Sequence, residues 1–338
     1  MASPSFPILF VAPERLDDAI LASGLLRRLH DEIGHARFVI ASAPAVAPLF
    51  RDIPGLDRLV TFEPDALGWL GLWRRVRGRR WGLVLDLRGS RLSRFLSARK
   101  RAVRRVPKTA LQPAHKVLEA ARVLKVEDDP PAPFLFTSPE TEAKAEALLK
   151  PPGGAGGPIL AIAPAADWVG KTWPPERFAV TAAELLGPRG PLAEGRLLLV
   201  GEAQDRWATE TVRRAIPRER LIDLVGRGDL LTAYACLKRA RLFIGNDNAF
   251  MHLAAAAGAP TLGLFGPSDE RVYAPWGPAA RALRGPRSFE AIKAVDPGFN
   301  QAMNHMQDLT TAKVVAAAGR LMAETADASV REPGDVGD

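Results

Sequence analysis

A chain of 338 residues, 47% hydrophobic and 25% charged, has an ordinary globular composition and is long enough for two cores. No apolar run approaches the roughly 20 residues that cross a bilayer as a helix. The single cysteine, Cys236, excludes an internal disulfide and a cysteine-based zinc cluster. The net charge of +8 calls for an acidic partner: nucleic acid, a phosphorylated substrate or an anionic membrane surface. The N-terminus, MASPSFPILFVAP, lacks a basic leader region, so the expected compartment is the cytoplasm, with no signal peptide.

Pro7–Ala12 reads as a first strand, PERLDDA as the loop after it and Ala19–His30 as an amphipathic helix. ARFVIAS is the second strand, and APLFRDIPGLDRLVTF holds a short helix and a third. This alternation predicts a doubly wound domain. Asp17 and Asp18 follow the first strand at a helix start. Either caps the helix, or Asp17 is the cap and Asp18 is left for chemistry. Gly68–Trp81, GWLGLWRRVRGRRW, interleaves tryptophan with arginine, and Ala98–Arg105 is a second basic run. The pattern suits an anionic lipid surface as well as it suits a solvated helix face with its tryptophans in the core. Nucleic acid ranks behind both, because no nucleic-acid motif accompanies the charge. WGLVLDLRGSRLSRFL predicts a strand, turn and helix that bring Asp86, Arg88 and Arg91 to the carboxyl edge of the sheet, where arginines clamp carboxylates or phosphates. His115 heads a helix, a position more often structural than catalytic.

Lys150–Pro158, KPPGGAGGP, is the clearest linker, and divides the chain into domains at 1–152 and 153–325, with 326–338 as a disordered tail. ILAIAPAADWVGKTWPPERFAVTAAELL restarts the strand–loop–helix pattern. Lys171, in a loop at the sheet edge with Thr172 beside it, is either a solvated loop lysine or a point charge that can neutralise a diphosphate. RLLLVGEAQDRWATETVRRAI repeats the unit, and either Glu202 or Asp205, just after Gly201, is placed to accept hydrogen bonds from a ribose. LIDLVGRGDLLTAYACLKRA adds another, with Leu224–Gly226 expected near a base and Cys236 in the core.

The stretch Arg241–Ser268, RLFIGNDNAFMHLAAAAGAPTLGLFGPS, reads as strand, tight turn, helix and strand: a βαβ unit of a parallel sheet. Asp247 is the expected N-cap, Gly258 the residue after the helix and Pro260 its stop. The turn Gly245–Ala249 lies where ligands bind in such sheets, and the helix start suits a phosphate. DERVYAPWGP is expected to be a loop and Thr311–Met322 a closing helix. No repeat, P-loop or GxGxxG fingerprint occurs.

The segment GNDNAFMHLAAAAGAPTLGLFGPS resembles the signature GxDxGxxHLAAAxGxPxxxLFGPT of glycosyltransferase family 9, the ADP-heptose:lipopolysaccharide heptosyltransferases. DDAILASGLLRRL resembles the family's GDxxLxxPLLRAL, WGLVLDLRGSRLSRFL its YDLVIDLQGNLRSALL, and KTWPPERFAVTA its KxWPxExFAxLA. The resemblance runs from about Pro7 to Met322 and implies an α/β fold of GT-B type, two Rossmann-like doubly wound domains facing a central cleft. It implies an inverting glycosyltransferase moving heptose from ADP-heptose to a lipopolysaccharide-type acceptor, and the basic runs Gly68–Trp81 and Ala98–Arg105 add the inner face of the cytoplasmic membrane as the expected place of work. Asp18 falls on the family's catalytic aspartate. Lys171, Thr172, Gly201, Glu202, Asp247, Asn248, Ala249 and His252 would bind the donor, and Arg88 and Arg91 the acceptor. No metal or other cofactor is expected besides the nucleotide-sugar, no nucleic acid, and a monomer. Asp17, Gly24, Asn248 and Ala249 depart from the family pattern. They keep a non-catalytic sugar-nucleotide-binding protein in view; a sugar-nucleotide epimerase or hydrolase on the same fold is the second rival.

Overall fold

The computed structural model describes residues 5–105, 113–150, 156–300 and 302–330, the side chains of 327–330 excepted. The expected linker core at 151–155 and residues 331–338 of the expected tail at 326–338 lie outside these residues, while 326–330 continue a helix. The chain forms two compact units, Met1–Glu142 with Asp229–Leu231, and Ala143–Gly228 with Thr232–Asp338.

The first unit is built on β1 (Phe6–Val11), β2 (Ala36–Ser42), β3 (Leu56–Thr61), β4 (Trp81–Asp86) and β5 (Ala98–Val103), all parallel in the order β3-β2-β1-β4-β5. β4 is buried at every position, as a central parallel strand covered on both faces must be. β5 is the edge, and its Arg99, Lys100 and Arg101 are exposed, a charged edge that resists further strand pairing. The helices are α1 (Leu16–Ala22), α2 (Gly24–Glu32), α3 (Ala66–Val76) and α4 (Lys116–Leu124). α5 (Pro139–Leu149) leads from the first unit into the second. Leu9, Val11, Val39, Val60, Leu72, Trp81 and Val84 belong to the core under α3.

The single helix expected over Ala19–His30 is two, divided at Ser23. Ser23 Oγ donates to Ile20 O at 2.7 Å and accepts from Phe134 N at 2.9 Å, so the break is tied to the segment 130–134 crossing it. That crossing accounts for Gly24: a Cβ there would meet Ala132 O at 2.3 Å. Neither Asp17 nor Asp18 caps α1; Arg15 holds the N-cap position, and both aspartates sit in the first turn. The helix expected in RLSRFL is a single 3₁₀ turn, Leu92–Phe95, and the basic run after it is β5. Trp81, read with the basic stretch, is a core residue whose Nε1 donates to Val76 O at 3.1 Å.

The second unit carries β6 (Ile159–Ala163), β7 (Arg196–Leu199), β8 (Leu221–Asp223), β9 (Leu242–Asn246), β10 (Thr261–Phe265) and β11 (Ala280–Arg284), parallel in the order β11-β10-β9-β6-β7-β8. Its helices are α6 (Pro175–Leu186), α7 (Arg206–Arg214), α8 (Leu230–Leu237), α9 (Ala249–Ala256), α10 (Glu270–Tyr273), α11 (Phe289–Val295) and α12 (Thr311–Val330). α6 begins with Pro175 at its first position, where a missing N–H costs no helical bond. The segment expected as a loop after Ser268 contains α10, and the closing helix runs past Met322 to Val330. Trp173, Phe178, Leu197, Leu242, Leu264 and Leu321 share one core.

Candidate functional site

In each sheet the strand order reverses once. β2 and β3 lie on one side of β1, and β4 and β5 on the other; β7 and β8 lie on one side of β6, and β9 and β10 on the other. In open parallel sheets such a reversal leaves a crevice beyond the carboxyl ends of the two strands that flank it. Most of the predicted residues collect at these two points; Gly201 and Glu202 follow β7 instead. Asp18 follows β1, and Arg88 and Arg91 follow β4; Lys171 and Thr172 follow β6, and Asp247, Asn248 and Ala249 follow β9.

At the first crevice Asp18 borders a cavity of about 30 Å³ with Arg104, Lys116 and Glu119. Its Oδ1 is buried and has no hydrogen-bond partner among the described residues. Arg104 lies 3.4 Å and Lys116 3.0 Å from Glu119, so a small charged group surrounds it. The sequence reading missed Lys116 and Glu119. His115 caps α4 by accepting from Val117 N at 3.2 Å, the structural role expected, and thereby sets Lys116 at the helix start.

The turn after β4 is organised by Asp86, which is fully buried. Burial pushes its carboxyl above the usual range, opposed by Ser90 Oγ at 2.5 Å and by N–H groups of the turn, Arg88 N at 2.9 Å among them. Gly89 has φ +69°, and a Cβ there would meet Arg104 O at 2.7 Å, so the tight turn requires glycine. This turn projects Arg88 against the rings of Phe62 and Trp69, 5.4 Å from each centroid, where it also pairs with Glu14. Arg91 is exposed, and both arginines border a cavity of about 840 Å³.

At the second crevice Lys171 Nζ lies 3.0 Å from Asp247 and 3.7 Å from Asp167. The Lys171 and Asp247 side chains are 12% and 6% exposed, so the pair is poorly screened. Asn248, not Asp247, caps α9: its Oδ1 accepts from Met251 N at 3.1 Å while its Nδ2 donates to Ala165 O at 2.7 Å. A single asparagine thus satisfies the helix start and ties it to the loop after β6. Asn246, two residues earlier at the end of β9, makes a second tie to that loop, accepting from Trp173 N at 3.0 Å and donating to Pro164 O at 2.7 Å. His252 is buried on the inner side of α9, its Nε2 3.9 Å from Asp247. Thr172 is also buried, its hydroxyl donating to Trp168 O at 3.0 Å within its own loop.

A segment the sequence reading left unassigned holds the Lys171 loop in place. His305 N donates to Gly170 O at 3.2 Å, Asn304 Nδ2 to Thr172 O at 2.9 Å and Trp173 Nε1 to Leu309 O at 2.8 Å. His305 in turn is held by Asp296 at 2.9 Å, both buried. Asp296, Asn304, His305 and Leu309 form no motif, so the sequence carries no signal for them. Beyond β7, Gly201 O accepts from Gly226 N at 3.0 Å, which sets Leu224–Gly226 beside the Gly201–Glu202 turn. Asp205 Oδ2 is engaged by Glu202 N at 2.8 Å, and burial, with the charge of Asp167 adding to it, raises its carboxyl's affinity for a proton. Glu202 is exposed at this edge. Among the described residues no group of three or more His, Cys, Asp or Glu is arranged to hold a metal ion.

Comparison with known proteins places this geometry in a family. The model of glycosyltransferase family 9 (heptosyltransferase) matches residues 78–296, a span that includes Arg88, Lys171 and Asp247 and leaves the block around Asp18 outside. A lipooligosaccharide heptosyltransferase 2 of Haemophilus influenzae is 30% identical over 131 residues, 38% of this chain and 36% of that protein. The match therefore spans about a third of that relative's length. Two solved structures share the fold: a glycosyl transferase family 9 protein of Veillonella parvula (TM-score 0.76, 18% identity, 96% of this chain and 99% of that one) and the E. coli ADP-heptose lps heptosyltransferase II (TM-score 0.74, 20% identity, 95% and 100%). Two parallel-sheet, Rossmann-like units with the GT-B topology of these structures, and a family match over most of the sequence, give one conclusion: the chain belongs to glycosyltransferase family 9.

Proposed function

We propose that this chain is an inverting glycosyltransferase that moves heptose from ADP-heptose to a lipopolysaccharide core or a similar lipid-linked glycan, working at the inner face of the cytoplasmic membrane. The carrying observation is the pair of strand-order reversals. One is equipped with a carboxylate whose Oδ1 has no hydrogen-bond partner among the described residues, the other with a partly shielded lysine beside a helix start. The names of related proteins, heptosyltransferases of lipopolysaccharide, supply the donor and acceptor classes.

In this reading Asp18 takes the proton of the acceptor hydroxyl as that oxygen bonds to the anomeric carbon. The bond from that carbon to the diphosphate breaks, and negative charge grows on the leaving group. Lys171 and the N–H groups at Asn248–Ala249 stabilise that charge. Arg88 and Arg91 hold an anionic group on the acceptor, and Glu202 or Asp205 accepts from the ribose; the exposure of Glu202, against the half-buried Asp205, favours Glu202.

The test measures release of nucleoside diphosphate from ADP-heptose with and without acceptor. Release only with acceptor supports transfer; release without it indicates a hydrolase, and binding without any release a non-catalytic protein. Asp18→Asn should keep donor affinity and lose about 10²–10⁴-fold in rate. Near-normal turnover in this variant removes Asp18 from the role.

A further inference from the structure

The cavity of about 840 Å³ in the first unit is larger and more apolar than clamping a sugar's anionic group requires. Its walls are Trp69, Leu70 and Trp73 from α3, and Leu92 and Phe95 from the 3₁₀ turn, with Arg88 at one end. Leu70 is 41% and Phe95 69% exposed, and both would be left facing water. The walls are built rather than loose. Trp73 Nε1 donates to Phe95 O at 3.3 Å, joining the two sides, and Arg101 donates to Ser93 O at 2.9 Å and Leu96 O at 2.6 Å, fixing the turn to β5.

The Arg88 side chain is only 8% exposed. Glu14 engages Nη2, while Nη1 is buried with no hydrogen-bond partner among the described residues. A guanidinium is always charged and presents donors in a fixed fork, so an orphaned donor here asks for an acceptor that the protein does not supply. The exposed Arg91 adds a second positive charge at the same cavity, so the two arginines outweigh Glu14.

We propose that this cavity binds the acyl chain of an anionic membrane lipid, the chain lying against Trp69, Leu70, Trp73, Leu92 and Phe95 and the anionic headgroup beside Arg88. This deepens the acceptor-side reading above and rests on it only for the role of Arg88. Further basic residues lie on the elements that build or brace the walls: Arg74 and Arg75 close α3, and Arg99 and Lys100 are exposed on β5.

The probe is dodecyl phosphate below its critical micelle concentration, with inorganic phosphate and dodecyl maltoside as controls. It is titrated by calorimetry and tryptophan emission into the full chain, and Trp69→Phe and Trp73→Phe assign the emission change. Saturable binding of dodecyl phosphate is expected, with inorganic phosphate not binding over the same range and the maltoside binding more weakly. Leu70→Asp, at an exposed wall position, should abolish or sharply weaken binding, because it sets a charge against the chain. Arg88→Gln should weaken dodecyl phosphate about ten- to hundredfold and leave the maltoside unchanged. Binding indifferent to Leu70→Asp, or equal binding of inorganic phosphate, overturns the proposal. ADP affinity, measured on the same samples, should be unchanged in both variants. If the wild type binds dodecyl phosphate but not ADP, the donor reading fails while the lipid site stands.

Discussion

The Lys171–Asp247 pair lets one substitution separate binding from structure. A phosphate held by Lys171 interacts with a charge already partly shielded from water, so its loss is felt at the diphosphate rather than at the nucleoside. Lys171→Ala should weaken diphosphate binding far more than nucleoside binding in paired calorimetric titrations. It should also lower the melting temperature, because it leaves Asp247 buried beside no cation at 3.0 Å. Equal loss for both ligands would mean that the diphosphate sits elsewhere. His252 belongs to the same cluster by contact with Asp247 at 3.9 Å, but its ring is buried. His252→Ala should therefore lower melting temperature and leave ADP affinity near that of the wild type; a large affinity loss with unchanged melting would return the histidine to the donor site.

Two glycines separate propensity from space at the scale of the element. Gly71 lies inside α3 with nothing within 4 Å of an added Cβ, so Gly71→Ala should stabilise by roughly 0.5–1 kcal/mol through helix propensity alone. Gly24 begins α2, where alanine is also the better helix former, yet a Cβ would meet Ala132 O at 2.3 Å. Gly24→Ala should destabilise by about 1–3 kcal/mol as the crossing segment is pushed away. Opposite signs in urea melts are the expected outcome, and equal signs would remove the explanation of the helix break. The turn after β4 has its own pH signature. Asp86 has a raised affinity for its proton in the fold, so its contribution to stability is complete below about pH 4 and is lost as pH rises through the raised value. Asp86→Asn mimics the protonated acid, so the variant's melting temperature relative to wild type should climb with pH from about 4 toward neutrality. A flat difference across that range would show that the hydrogen bonds of the turn fully offset the burial.

For the whole molecule, the basic residues of α3 and β5 predict reversible adsorption to anionic bilayers. No described helix is long and apolar enough to cross a membrane. Each lysine or arginine near such a surface contributes about 1 kcal/mol at low salt. Co-sedimentation with anionic vesicles should exceed that with neutral ones and fall as salt rises. Arg74→Glu with Lys100→Glu should reduce it further. Equal recovery with both vesicle types, or none at low salt, removes the surface role. Trp81 takes no part in it, being wholly within the core.

Periodicity and end signals alone determined most of the architecture. Buried parallel strands are continuous apolar runs, and PILFVA, WGLVLD and ILAIA can be little else. Helix ends were legible where a local residue makes the cap, as at His115, and misread where two candidates were adjacent. Asp247 and Asn248 are chemically equivalent caps, and only the tie from Asn248 to Ala165 O chose between them. The candidate residues were legible because those that follow strands in a parallel sheet gather at its carboxyl edge whatever the details. The tertiary structure decided which of those edge positions meet. The strand-order reversals put β1 beside β4 and β6 beside β9, and only then does Asp18 share an edge with Arg88, and Lys171 with Asp247. It also decided the polar surroundings: Lys116 and Glu119 near Asp18, and the 304–309 segment around the Lys171 loop. Those contacts join residues far apart in the chain with no periodicity or motif linking them, so nothing in a linear reading carries them.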